Sequence, residues 1–385
     1  MGKKGSKNQE KIKKIKIKVL GLGGGGINIV SEIFKEIGKK VSFLILDTDR
    51  KCLKRAPQGI EKIYLGRSLT KGFGTGMDLE KARQSLLKEK NLIEEATKED
   101  DLILLIACLG GGFGSEASYF IGKMLKKRGK ITFGIFTLPF SFESKEKAEI
   151  AKKTLFNLKK TLNSFLLIPN DQIFSVFPNN TNFSFSLFSI NKKITEGLSS
   201  LLEVIFQPSL INIDFADLRT VFDGRGKIAF LNFEKIEDKI EEEDIERILK
   251  NPLLPYDISG AKEVLFHIFG GEELEISKIN FICSKIYQKV SKNAKIIFGV
   301  SKEKIRNKSG VLILGTGCSD TKKFFFEEKK IEKRKLNKDK MISKKEIERK
   351  NGLSIQKEKE KEEAEILAKE EIWQTPTFLR RGISI

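Results

Sequence analysis

The sequence predicts an α/β protein whose main sheet is parallel and covered by helices on both faces. Short, continuously apolar runs follow one another along the first 170 residues, and amphipathic stretches separate them. Strands buried on both faces give unbroken apolar runs, because neither face of the sheet meets water. Two of these runs end directly in glycine-rich turns, at the end of the sheet where such folds bind ligands.

The elements of the first half follow in alternation. The run IKIKVL (15–20) predicts a strand, and the stretch after the first glycine-rich turn predicts a helix over 27–37. Further strands are predicted at 41–46, 102–108, 131–136 and 164–168, with helices at 79–96, 116–127 and 143–162. This alternation is typical of βαβ units, which build a parallel sheet.

A long helix that ends near Phe206 closes this half, and a second pattern follows it. Strands at 227–233, 263–269, 295–300 and 310–316 and helices near 242–250 and 275–290 predict a smaller α+β domain. From 321 the chain is charged and poor in large apolar residues, so it cannot bury enough surface to fold. The predicted segments are a flexible Lys-rich N-terminus (1–14), a first domain with the long helix (15–206), an α+β domain (207–320), a charged disordered linker (321–370) and a terminal peptide (371–385).

The chain is strongly basic, with 72 Lys and Arg against 52 Asp and Glu and a formal net charge of +20. Much of the excess lies in residues 1–18, and Lys greatly outnumbers Arg. Recognition of phosphates and bases favours the forked guanidinium of Arg. We therefore expect no nucleic-acid partner.

Several classes of protein are excluded by residues that the chain lacks. Its single histidine, His267, lies in an apolar run, which argues against a Ser–His–Asp triad and a multi-histidine metal site and predicts a core or strand-edge histidine. The four cysteines have no C-x-x-C spacing, so we expect reduced thiols in a cytoplasmic protein. The apolar runs are far shorter than the ~18 residues of a spanning helix, so we expect no direct membrane insertion.

The first glycine-rich turn is GLGGGGIN (21–28). Gly21, Gly23 and Gly26 satisfy the pattern G-x-G-x-x-G, and Asp47 and Asp49 follow at a distance suited to a ribose contact. Glycines let backbone N–H groups reach phosphate oxygens, and the start of the next helix adds its positive end. Alone, this motif predicts a nicotinamide or flavin site as well as a nucleoside-triphosphate site.

The second glycine-rich turn, LGGGFGS (109–115), also lies between a buried strand and a helix. A dinucleotide-binding fold needs only one such turn, so two of them predict a phosphate chain that is held from two sides. The pattern G-x-x-x-x-G-K-[ST] is absent from the sequence, which excludes the usual Lys-bearing phosphate loop.

A third motif, NIDFADL (212–218), lies far along the chain from both turns. Asp214 and Asp217 are three residues apart, which on a helical turn places both on one face. Two such carboxylates can orient water or hold a cation. An ordinary helix N-cap with an acidic first turn explains the same pattern equally well.

Together these motifs resemble the tubulin/FtsZ family of GTPases, in particular its bacterial cell-division members. The resemblance runs from about residue 15 to 318 and again over 373–381, with eight segments in the correct order. They are GLGGGGIN, LDTDRKCL (46–53), GRSLTKGFGTG (66–76), LGGGFGS, TLPFSFE (137–143), IPND (168–171), NIDFADLRTV (212–221) and TPTFLRR (375–381). The resemblance implies a tubulin-like fold: a Rossmann-like GTPase domain, a long central helix and a smaller α+β domain.

The resemblance also implies a function for each motif. Bound GTP or GDP, with Mg²⁺, would contact Gly23, Gly24, Gly25, Gly26, Asn28, Asp47, Asp49, Gly74, Gly110, Gly111, Gly112, Phe113, Gly114, Ser115, Glu143, Lys147, Asn170 and Asn191. Asn212, Asp214 and Asp217 would act in catalysis on the nucleotide of the next subunit. Membrane-adaptor and division-regulator proteins would bind Trp373, Pro376, Phe378, Leu379 and Arg380.

The function implied is a GTPase that polymerises head-to-tail into filaments of the division ring at mid-cell. Departures from the family pattern keep a second possibility open. Phe113 replaces a threonine, and Glu116 replaces a glycine and would bring a carboxylate near the phosphates. Lys147 replaces an arginine, and Asp47 and Asp78 replace asparagines. These changes favour slower hydrolysis or weaker binding, so the alternative is a GTP-binding filament protein with little or no hydrolysis. A dinucleotide-dependent oxidoreductase is less favoured, because it leaves the second turn and NIDFADL unexplained.

Overall fold

The computed structural model describes residues 15–207, 209–237, 240–270, 275–302, 305 and 309–318. The predictions for the N-terminus (1–14), the linker (321–370) and the terminal peptide lie outside these residues, and with them the five partner-binding residues.

The strands are β1 (Ile17–Leu22), β2 (Ser42–Asp47), β3 (Glu61–Tyr64), β4 (Leu102–Cys108), β5 (Ile131–Leu138), β6 (Ser164–Pro169), β7 (Lys227–Lys235), β8 (Glu263–Phe269), β9 (Lys295–Ser301) and β10 (Gly310–Thr316). The α-helices are α1 (Gly23–Ile37), α2 (Arg50–Arg55), α3 (Arg67–Thr70), α4 (Leu79–Lys88), α5 (Lys90–Ala96), α6 (Gly112–Lys127), α7 (Lys145–Lys159), α8 (Gln172–Val176), α9 (Phe183–Phe206), α10 (Phe215–Val221), α11 (Glu242–Leu249) and α12 (Ile276–Lys289).

The described strands form a sheet in the order β3-β2-β1-β4-β5-β6-β7-β10-β8-β9. All neighbours from β3 to β7 are parallel, while β10 runs antiparallel to both β7 and β8. The parallel sheet predicted for the first half is therefore confirmed, and the second half is a mixed sheet. Only two residue pairs join β6 to β7, Ser164 with Lys227 and Phe165 with Ile228.

The core of the first half lies where the apolar runs are unbroken. Every residue of β1 is buried, and so are the first six residues of β4. The long helix α9 packs against α1 and β7, and the Asn182 side chain caps it by accepting from the N–H of Ser184 at 2.9 Å. The single helix predicted over 79–96 is wrong, since α4 and α5 are separate helices that meet at Glu89.

His267 lies in β8 with 0% of its surface exposed, as the prediction of a core histidine requires. Neither ring nitrogen has a hydrogen-bond partner among the described residues, and the ring lies 4.6 Å from that of Phe269. Burial lowers the pKa of His267 to about 4, because an imidazolium there would lose its hydration. His267 is therefore neutral at physiological pH and belongs to the core.

Candidate nucleotide site

Two helix N-termini meet at the centre of the parallel sheet. The strands β1 and β4 are neighbours, and the strand order reverses between them. The C-terminal ends of β1 and β4 therefore form the switch point of the sheet. α1 begins at Gly23 directly after β1, and α6 begins at Gly112 after β4; neither has a capping side chain. By contrast, Asp49 caps α2 and Asp78 caps α4. Uncapped first-turn N–H groups carry partial positive charge, so the N-termini of α1 and α6 together are suited to bind an anion.

A cavity of about 390 Å³ opens at the C-terminal ends of β1 and β4. Its walls come from the ends of β1, β2 and β4, from the loop before α4, and from the segments after β5 and β6. The lining residues are Leu22, Gly23, Gly24, Gly25, Asp47, Asp49, Cys52, Phe73, Gly74, Thr75, Gly76, Cys108, Leu109, Gly111, Gly112, Phe113, Gly114, Pro139, Glu143, Lys147 and Asn170. Residues from six of the eight motifs of the sequence therefore share one cavity.

The two glycine-rich turns pack directly on each other. Gly23 has φ +71°, and a Cβ there would lie 3.2 Å from the backbone of Gly114. A Cβ on Gly25 would lie 2.3 Å from the Sγ of Cys108, closer than real Cβ contacts allow. Glycine is thus required at both positions, at Gly23 by backbone conformation and at Gly25 by lack of space.

Five of the residues predicted to contact nucleotide do not line the cavity. Gly26 is buried at the base of the first turn, Asn28 is exposed on α1, and Asn191 is half-buried in α9. The N–H of Gly110 donates to the Ser115 hydroxyl at 3.0 Å, so Ser115 shapes the second turn from within. The remaining thirteen predicted positions do lie on the cavity wall.

The carboxylate of Asp47 lies at the end of β2 and is only 4% exposed. Its Oδ1 accepts from the N–H of Thr48 at 2.7 Å and from the N–H of Asp49 at 3.1 Å. Burial raises the pKa of Asp47 to about 6, although these two bonds favour the charged form. A carboxyl group that titrates near pH 6 therefore lines the cavity.

Glu143 and Lys147 form an ion pair at 2.7 Å across one turn of the chain. Glu143 also accepts from the N–H of Phe140 at 2.8 Å. Burial raises the pKa of Glu143, but the hydrogen bonds from Lys147 and Phe140 outweigh it, and the pKa ends below its ordinary value. Among the described lining residues Lys147 is the one cation, against Asp47, Asp49 and Glu143, so an anion here must be held mainly by backbone N–H groups.

Sequence reasoning missed three polar or thiol groups on the wall: Thr75, Cys52 and Cys108. The hydroxyl of Thr75 is buried without a hydrogen-bond partner among the described residues. Its loop is fixed to α6, because the N–H of Gly112 donates to the carbonyl of Gly76 at 2.9 Å. An orphaned hydroxyl facing a cavity fits a polar ligand group. Thr75 lies in the motif GRSLTKGFGTG, from which Gly74 was the one residue predicted to contact nucleotide.

Two departures from the family pattern differ in their placement. Phe113 is 5% exposed and lines the cavity, with its Cδ1 3.8 Å from where a Cβ on Gly23 would lie. Glu116 instead lines a separate groove of about 560 Å³, together with Arg83 and Lys153. Burial raises the pKa of Glu116 there. The carboxylate of Glu116, expected near the phosphates, is therefore not among the residues that line the cavity of about 390 Å³.

Asn212, Asp214 and Asp217 do not line the cavity of their own chain. Asp214 is the N-cap of α10: its Oδ1 accepts from the N–H of Asp217 at 2.8 Å, and Oδ2 of Asp217 accepts from the N–H of Asp214 at 3.0 Å. The capping interpretation of this motif is confirmed. The capping box uses one oxygen of Asp214 and one of Asp217, so the second oxygen of each carboxylate lies outside it. Asn212 and Asp214 are exposed.

A doubly wound sheet with two glycine-rich helix N-termini at its switch point defines a nucleoside-phosphate-binding α/β protein. The model of the tubulin/FtsZ family GTPase domain matches residues 16–178, and that of the FtsZ family C-terminal domain matches 232–319. The chain belongs to the FtsZ family of GTPases, which are cytoskeletal proteins that polymerise in cell division. The family resemblance and the fold expected from the sequence are thereby confirmed.

Individual relatives agree with this assignment. The cell division protein FtsZ of Buchnera aphidicola is 31% identical over 78% of this chain and 79% of its own length. FtsZ 1 of Archaeoglobus fulgidus is also 31% identical, over 78% of this chain and 82% of its own. The structure of an empty FtsZ dimer from M. jannaschii superposes with a TM-score of 0.69 at 28% identity, covering 79% of this chain and 89% of the other.

Proposed function

We propose that GTP bound in the nucleotide cavity is hydrolysed across a head-to-tail contact, with Asp214 and Asp217 acting in the cavity of the adjacent subunit. The observation that carries this proposal is their position: they are held by a capping box, remain accessible, and are absent from their own cavity. Carboxylates fixed in this way can orient an attacking water without reorganising. Asn212, which is exposed beside them, completes the set.

The cavity would hold the phosphate chain through backbone N–H groups of both glycine-rich turns. Thr75 supplies a free hydroxyl, and the ribose side would contact Glu143 and Asn170. The acidic lining opposes a polyanion, so we propose that Mg²⁺ enters with the nucleotide and offsets this charge, since Mg²⁺ is usually held by substrate phosphates, water and one or two carboxylates. In the described part of the chain, no cluster of three or more His, Cys, Asp or Glu is placed to hold a metal ion.

An exposed aromatic cluster beside the cavity supports a contact with a second subunit. Phe140 stacks on Phe142 with ring centroids 4.9 Å apart, and Phe174 and Phe183 each lie 5.8 Å from Phe140. Phe142 is 70% exposed. Contiguous exposed rings of this kind mark interaction surfaces. Leu210 and Ile211, which precede Asn212, are also exposed and would supply the apolar part of the opposite face.

The terminal peptide and its tether complete the proposal. Trp373, Pro376, Phe378, Leu379 and Arg380 would bind membrane adaptors and division regulators and bring a cytoplasmic filament to mid-cell. Among the described residues, no helix combines the length and the apolar character needed to cross a bilayer.

A filament protein that binds GTP with little hydrolysis is the second candidate. The burial of Phe113 on the cavity wall favours it, because an aromatic ring there replaces a hydroxyl that could donate to phosphate.

Phosphate release per subunit, measured against protein concentration, tests the proposal. A site completed by a neighbour gives a specific activity that rises with concentration. Asp214→Asn should bind GTP normally and lose most turnover, because asparagine caps a helix as well as aspartate but lacks the charge. Asp78→Asn makes the same exchange at the cap of α4 and is the matched control. It should retain turnover or raise it, because asparagine is the residue of the family pattern at this position. Specific activity independent of concentration would refute the trans site.

A further inference from the structure

The β3 edge of the sheet carries a groove that the nucleotide site does not use. It has a volume of about 660 Å³, and its described lining residues include four cations and no carboxylate. We call it the basic groove. It is lined by Arg50, Leu53, Lys54, Ala56, Gln58, Lys62, Tyr64 and Arg67.

Local structure brings these cations together. Arg50 and Lys54 are four residues apart on α2 and share a face of the helix. Lys62 and Tyr64 are two residues apart on β3 and share a face of the strand. The guanidinium of Arg67 lies 5.3 Å from the centre of the Tyr64 ring. All four cations are exposed, and the segment 50–71 contains seven basic residues and one acidic residue.

The same chain carries an acidic counterpart. The segment 241–246, which we call the acidic turn, contains five carboxylates in six residues at the start of α11. Glu242, Glu243 and Glu246 are exposed. Glu242 pairs with Lys285 at 2.5 Å and Glu246 with Lys250 at 3.3 Å, both as surface ion pairs within the chain, which a second copy would have to share or displace. α11 packs against β7 and β10, in the second half of the sheet.

We propose that the basic groove of one copy receives the acidic turn of a second copy, side by side with it. The groove lies at β3 and α11 lies at β7, six strand spacings away, or roughly 29 Å at ~4.8 Å per spacing. That separation is far beyond the reach of a lysine or arginine side chain, so one chain cannot pair its own two surfaces. Opposite charge on two different faces of one subunit gives a heterologous contact, which repeats.

This inference rests on the proposed filament in one respect: the side-by-side copies would be subunits of neighbouring filaments. Head-to-tail assembly places many grooves and many acidic turns in rows, so weak single contacts add along the filament. Because the contact is mainly ionic and exposed, it should weaken as salt rises.

Charge reversal tests the contact. The variants are Lys54→Glu/Arg67→Glu in the groove, Glu242→Lys/Glu243→Lys in the acidic turn, and all four changes together. Lys123→Glu/Lys127→Glu, at exposed cations of α6, is the matched control. High-speed pelleting with GTP reports filaments, and low-speed pelleting at low salt reports their lateral association.

Each reversal alone should lower low-speed pelleting about tenfold and leave high-speed pelleting and GTP turnover unchanged. The fourfold variant, and an equal mixture of the two reversals, should recover it. Equal loss in the control, unchanged pelleting in both reversals, or no recovery in the mixture would overturn the proposal. Tripolyphosphate binding is measured on the wild type and on Lys54→Glu/Arg67→Glu. If this variant loses tripolyphosphate binding and its pelleting does not change, the proposal is overturned and the groove binds phosphate polyanions instead.

Absence of any high-speed pellet would count against head-to-tail assembly and not against this contact. The contact is then measured by sedimentation velocity of GDP-bound subunits. The mixture of the two reversals must form a heavier species than either variant alone, and its failure to do so would overturn the proposal.

Discussion

The Sγ of Cys108 lies 2.3 Å from the position that a Cβ on Gly25 would occupy. The last residue of β4 thus fills the space beneath the first glycine-rich turn, and the two halves of the nucleotide cavity are packed as one unit. The Cα of Cys108 is farther away, at 3.9 Å from the same point. The thiol side chain, rather than the strand backbone, therefore excludes a side chain at residue 25.

Gly25→Ala should lower GTP affinity about tenfold or more and cost ~1–3 kcal/mol of stability, because the turn must shift away from the thiol. Adding Cys108→Gly to Gly25→Ala should recover much of the lost GTP affinity and stability. Cys108→Gly alone completes the double-mutant cycle. Nucleotide titration and urea unfolding of all four proteins measure the coupling. Additive losses would show that the two residues do not interact.

Asp47→Asn should stabilise the protein at neutral pH. Burial raises the pKa of Asp47 in the folded protein to about 6, so folding favours the protonated carboxyl. The stability that this proton contributes is fully present below the ordinary aspartate pKa. It is lost as the pH rises through about 6. The shift corresponds to ~3 kcal/mol at neutral pH. Urea unfolding of nucleotide-free protein should therefore show a gain at pH 7 that vanishes near pH 4.

Asp49→Asn is the control for this titration, because Asp49 caps α2 and asparagine caps equally well. Its effect on the free energy of unfolding should be small. An identical pH profile for the two variants would contradict the assignment of the titrating group to Asp47.

Phe113→Thr should raise GTP affinity or turnover about tenfold, because it restores a hydroxyl on the cavity wall. It should also cost ~2–4 kcal/mol of stability, since a buried ring is lost. Phe113→Val has nearly the shape of the threonine without the hydroxyl and should show only the loss of stability. Equal affinity and turnover in the two variants would rule out a missing donor as the limit on this enzyme.

Apolar runs predicted most strands because those strands are buried on both faces. β3 escaped prediction because it is a four-residue edge strand whose Glu61 and Lys62 are exposed, so it has no apolar run. Glu116 was misjudged for another reason: nearness in sequence to the second glycine-rich turn did not reveal that its side chain faces Arg83 across a different groove. Thr75 and Cys108 reach the cavity only through the packing of one loop on another, which spacing along the chain does not encode.

In the proposed filament, Asp214 completes the nucleotide site of a neighbouring subunit. A mixture of two impaired variants tests this, at a GTP concentration too low to saturate Gly25→Ala. Asp214→Asn keeps its cavity and lacks the carboxylate, while Gly25→Ala keeps the carboxylate and binds GTP weakly. In the mixture, Asp214 of a Gly25→Ala subunit can act on GTP bound by an Asp214→Asn subunit. Phosphate release well above the sum of the two separate variants is the expected result. Release equal to that sum would contradict hydrolysis across the subunit contact.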